Sequence, residues 1–137
     1  MRVLWKCVLP CWSPLSIDQI VESWQMYAAI VEDLGLDEFI DEDALAGDMA
    51  TAFVSEFVPI AEDGAASTLF VDTRSGPLSG CVTIYHRDDG ALGGPTWDSV
   101  TAMLDDLADA LEGGRPCNGW QPTIDDDALD WQPVADG

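Results

Sequence analysis

Three β-rich runs follow one another in the middle of the chain: FVSEFVPI at 53–60, STLFVDT at 67–73 and GCVTIYH at 80–86. Between them lie little more than the turn-formers EDG at 62–64 and SGP at 75–77, where glycine and proline let the backbone reverse. Consecutive strands joined this closely pair as an antiparallel meander. On the N-terminal side, Ser16 followed by Gln19 has the spacing of a capping box. Behind it Ile17, Ile20, Val21, Trp24, Tyr27, Ala28, Val31 and Leu34 recur at helical spacing until Gly35. That stripe is expected to face the core, with Asp18, Glu22, Gln25, Glu32 and Asp33 in solvent. On the C-terminal side, Asp98 or Ser99 caps a second helix whose stripe runs through Val100, Met103, Leu104, Leu107, Ala108 and Leu111 and stops at Gly113 and Gly114. Residues 1–12 read as a short strand ending in a turn, 36–49 as a short helix or loop, and the segment from Arg115 as an irregular tail. The expected fold is α+β, a small, mainly antiparallel sheet with the helices packed on one face. The expected division is a domain over 1–114 and an acidic, Trp-containing tail over 115–137.

Composition decides between a folded domain and a charged coil. Of the 137 residues 47% are apolar and six are Trp, enough to build a core. The remainder is strongly acidic: 26 Asp and Glu against 5 Lys and Arg give a formal charge of −21. Phosphate contacts need cations, so this balance disfavours nucleic acid and anionic membrane as partners. No stretch of about 18 apolar residues is present to span a bilayer. Pro10, Trp12 and Pro14 break the N-terminal apolar run short of a signal peptide. A cytoplasmic location with reduced thiols is the expectation.

Candidate chemistry is thin. Cys7, Cys11, Cys81 and Cys117 lack paired CxxC spacing and a nearby His, so neither zinc nor any cofactor is expected. The acidic triplets at 41–43 and 125–127 lack the glycine and glutamate that complete a calcium loop. His86, the single histidine, ends the third strand beside Arg87, Asp88 and Asp89, but no motif declares a nucleophile for it. Cys81 lies an odd number of residues away, on the opposite face of an extended strand. Trp24 and Trp97 are expected in the core. Trp120 and Trp131 sit in the acidic tail, where each either tucks onto the sheet or offers a hot spot to an Arg-rich partner.

FVPIAEDG at 57–64, FVD at 70–72, the SGP turn with GCVTIYH after it, and WDSVTAMLDDLADALEGG at 97–114 together resemble the second half of the SUKH superfamily, the Smi/Knr-like domains. PLSIDQIVESWQMY at 14–27 is similar to the same family's helical element. Against that pattern the chain begins almost at the strand, as an N-terminally shortened member, a fragment or the product of a misplaced start codon would. Its EDGAAST loop replaces a glycine-rich run ending in Asp, so no role of that Asp carries over. Asp63, Gly64 and Asp72 match and read as turn and strand-end determinants.

The resemblance implies an α+β fold without enzymatic activity, and in bacteria an immunity role against toxins that include nucleases. Fungal members imply a regulatory or scaffold module tied to wall synthesis and signalling, which is the alternative. Charge fits the immunity role independently, since a nuclease must display Lys and Arg for an acidic domain to occupy. The residues expected to meet such a partner are Asp41, Glu42, Asp43, Asp88 and Asp89, with Trp120 as a candidate anchor. A salt-adapted cytoplasm is a competing explanation of the same acidity.

Overall fold

The computed structural model describes Pro10, residues 12–126 and residues 128–134. Most of the N-terminal segment expected to be a strand therefore lies outside the described residues. Six strands and two α-helices run in the order β1 (Ser13–Pro14), α1 (Ile17–Asp33), β2 (Phe57–Glu62), β3 (Ser67–Asp72), β4 (Cys81–His86), α2 (Val100–Gly113), β5 (Trp120–Asp125) and β6 (Ala128–Pro133). A single 3₁₀ turn, Leu36–Phe39, follows α1. The first four strands form one antiparallel sheet in sequential order, β1-β2-β3-β4, and β5 and β6 form a separate hairpin. The molecule is thus the expected α+β meander.

Local signals act where the residue types require. Ser16 Oγ accepts the Gln19 amide while Gln19 Oε1 accepts the Ser16 amide, completing the capping box. Ser99, rather than Asp98, caps α2, accepting the Ala102 amide at 3.0 Å. Gly114, left-handed at φ 68°, ends that helix. In β3, Thr68, Leu69 and Phe70 are buried in succession, so both faces of the sheet are covered.

That succession corrects the one-sided packing read from the sequence. Leu69 and Val82 point to one face, where Met103, Leu107 and Ala110 of α2 complete a core with Trp97, Cys117 and Trp131. Phe70, Phe57 and Tyr85 point to the other, where they meet Tyr27 of α1 and Phe53 and Val54 of the loop before β2. The helices therefore serve opposite faces. A register shift between Pro59 and Ala61 lets β2 contribute Phe57 to one core and Ala61 to the other.

Two further expectations fail. The segment after Arg115 is not irregular: it folds as the β5–β6 hairpin, with Trp131 buried and Trp120 and Leu129 packed against the first core. The stripe of α1 is not wholly turned inward either. Ser23 and Tyr27 are its buried residues, and Ile17, Val21, Trp24 and Leu34 are exposed. α1 packs against β2 and sends Tyr27 onto Phe53, Tyr85 and Thr68, so it buries a narrow line rather than a broad face.

Candidate functional site

A buried ion pair at the end of β3 organises the acidic loop. Asp72 is 1% exposed and Arg74 8%, and they meet at 2.8 Å. The guanidinium donates from Nε and Nη2 to the carboxylate, lies 4.9 Å over the ring of Phe57, and donates from Nη2 to the Asp48 carbonyl at 2.8 Å. Asp72 Oδ2 also accepts the Gly47 amide at 2.9 Å. Burial alone would raise the Asp72 carboxyl, but these donors outweigh it and hold the group below the usual carboxylate range. The pair thus pins residues 47 and 48 to the strand end. The Ala46 N–H donates a hydrogen bond to the Ser75 carbonyl, and Ala50 exchanges two backbone hydrogen bonds with Ala91. Gly90 is indispensable there: its φ is +74°, and a Cβ would stand 2.3 Å from the Ala50 carbonyl oxygen.

Held this way, the loop walls a cavity of about 680 Å³ between residues 40–45, 54–56 and 73–75. Asp41, Glu42, Asp43 and Glu56 line it and are solvent-exposed, while Arg74 forms part of its wall. Asp41 Oδ1 accepts the Asp43 amide at 2.9 Å, a local turn that sets the acidic triplet on the rim. Three of the predicted partner residues are brought together here. Asp88 and Asp89 are exposed on the tight turn that follows β4 and do not line the cavity. Trp120 is half-buried in β5 against the core, as the tuck-back alternative has it. Glu56 and the Asp72–Arg74 pair went unnoticed in the sequence. An Asp-x-Arg at the end of a β-rich run followed by a turn was the available signal.

Two other arrangements carry reactive groups. Ser67 Oγ and His86 Nδ1 are 2.9 Å apart, because the β3–β4 register sets these residues opposite each other. Among the described residues no carboxylate hydrogen-bonds to that imidazole, so the pair has no orienting third member. On the other side of the sheet from that pair, Cys81 is a buried free thiol, its ionisation pushed up chiefly by burial. Cys117 is also buried and free, and its thiol faces Asp106, which also accepts the Trp97 indole at 3.0 Å. Burial, and then the Asp106 carboxylate, push this thiol up to about 12. Both cysteines behave as packing residues. Among the described residues no group of three or more His, Cys, Asp or Glu side chains is placed to hold a metal, and no helix is long and apolar enough to cross a membrane.

Against known families and curated proteins the chain finds no counterpart: no family model matches it and no curated sequence does.

Proposed function

We propose that the chain is a non-enzymatic protein-binding domain of the immunity type, which neutralises a basic, nuclease-like toxin in the cytoplasm. The observation that carries this is the walled acidic cavity. Asp41, Glu42, Asp43 and Glu56 surround a concave space on a loop anchored from below by a buried ion pair, so the carboxylates are presented on a firm base. A guanidinium or ammonium group entering it would exchange water for charge-assisted hydrogen bonds. The overall charge of −21 would steer a cationic surface towards it. The SUKH-like motifs read from the sequence support the same role.

The experiment is growth protection. Co-expressed with a nuclease domain, where its gene neighbourhood encodes one, the chain should restore growth, and Asp41→Lys with Asp43→Lys should abolish that protection. Protection that survives both lysines, or none by the wild type, overturns the proposal. A gene neighbourhood without any toxin would favour the regulatory or scaffold alternative. An enzymatic reading would rest on the Ser67–His86 pair, and full protection by a His86→Ala variant would remove it.

A further inference from the structure

Three surface features that the sequence scatters are joined in space. The acidic cavity shares Ile40, Val54 and Ser55 with a small cleft of about 180 Å³ behind the loop. That cleft shares Trp24 with an apolar hollow of about 350 Å³ between α1 and β2, lined chiefly by Ile20, Val21 and Val58. Trp24 bridges the two hollows, and its indole donates to the Ser55 carbonyl at 3.0 Å, which ties the helix to the loop. The three hollows thus adjoin one another as a groove stepped at these shared residues, with carboxylates lining the first and exposed aliphatic and indole surface the last.

The apolar end is open to solvent. Val21 is 48% exposed and Trp24 38%, on a helix whose own capping and periodicity would suit a core. The helix also contains no Lys or Arg, while Asp18 and Glu22 flank the stripe. A second copy of this chain would bring a like charge of −21 to the same place, which disfavours self-association. Charge complementarity selects a cationic occupant instead, and the hollow selects one with an apolar block.

We propose that this groove docks a single segment of a basic protein in which a run of apolar residues adjoins a cluster of Lys or Arg, the apolar run seated on Val21, Trp24 and Val58 and the cations among Asp41, Glu42 and Asp43. The proposal rests on the protein-binding role above and specifies the chemistry of the bound segment. Exposed hot spots of Trp with neighbouring aliphatics supply affinity, and the carboxylate rim supplies direction.

Two labelled peptides of identical composition test it on the full-length chain by fluorescence anisotropy at moderate salt. One has a leucine block followed by an arginine block, and in the other leucine and arginine alternate. The wild type should bind the block peptide at least about tenfold more tightly than its isomer, equivalent to about 1.4 kcal/mol. The isosteric pair Val21→Thr with Val58→Thr should erase most of that preference, and its unchanged circular dichroism and melting point should show that it folds. Asp41→Asn, Glu42→Gln and Asp43→Asn together should weaken the block peptide more than the alternating one. Equal binding of the two isomers, or a preference indifferent to the threonines, overturns the proposal. So does a concentration-dependent dimer that the threonines dissolve, because the face would then belong to a second copy. Failure of growth protection with the peptide preference intact would reject the toxin and leave the groove standing. The reverse outcome would reject the groove alone.

Discussion

At the scale of single residues, the Asp72–Arg74 pair carries the most structural consequence. Both side chains are buried, so removing one leaves the other uncompensated, at a typical cost of about 3–5 kcal/mol. Arg74→Ala should lower the urea midpoint accordingly, and a loss below about 1 kcal/mol would show that the pair is not the anchor of the loop. The pH dependence has a definite sign. Asp72 is held below its ordinary value, so its contribution is present above the unfolded carboxylate pKa of about 3.9 and is lost as pH falls through the lower folded value. Cys117 acts at the other extreme. Its thiol is raised to about 12, so stability is full below the unfolded thiol pKa of about 8.5 and declines as pH rises from there to the folded value. Site-resolved alkylation at pH 8 should accordingly leave Cys81 and Cys117 unmodified in the folded chain, and rapid labelling of either would contradict their burial. Gly90→Ala belongs to the same scale. A strained φ and a collision with a backbone carbonyl should cost about 1–3 kcal/mol and loosen the 46–50 loop.

At the scale of elements, α1 divides into two faces that should respond oppositely to mutation. Tyr27 is stacked on Phe53, its hydroxyl 2.6 Å from Thr68 Oγ1, and Tyr27→Ala should cost about 3–5 kcal/mol. Val21→Thr should stay within about 0.5 kcal/mol, because the side chain is half in solvent. Comparable losses at both positions, read from urea unfolding, would mean that the exposed stripe packs against something. The sequence foretold this helix to within a residue, since its cap and periodicity are local, but it could not tell which apolar positions would be covered. That depends on how α1 is seated on the sheet, which turns Ser23 and Tyr27 inward. β3 carried a readable sign that was passed over, because an unbroken Leu69-Phe70-Val71 run asks for cover on both sides. The β5–β6 hairpin was harder to foresee. Its strands contain Pro122 and Pro133 and turn through acidic residues, and tertiary packing of Trp131 overrides that weak propensity. The acidic triplet was legible as charge, whereas its grouping with Glu56 needed the loop to be pinned to the end of β3 by bonds spanning 25 and 26 residues of sequence.

At the scale of the whole molecule, a formal charge of −21 on a 14.8 kDa chain means that self-repulsion opposes the compact state. Moderate salt should raise the melting temperature by screening it, and a melting temperature indifferent to salt would contradict that repulsion. Equally acidic unrelated proteins from the same organism would assign the charge to salt adaptation instead. The proposed binding through the loop and the stability of the core are separable, because the exposed carboxylates at 41–43 contribute little to packing while Asp72 beneath them contributes much. The most direct measurement is the stopped-flow association rate of the chain with a basic nuclease domain against which it protects growth, across ionic strength, compared with the Asp41→Asn, Glu42→Gln, Asp43→Asn variant. The wild-type rate should fall by about tenfold or more between low salt and half-molar salt, and the neutralised variant should start slower and fall less. Identical rates and identical salt slopes for the two chains would contradict the acidic loop as the surface that receives a basic partner.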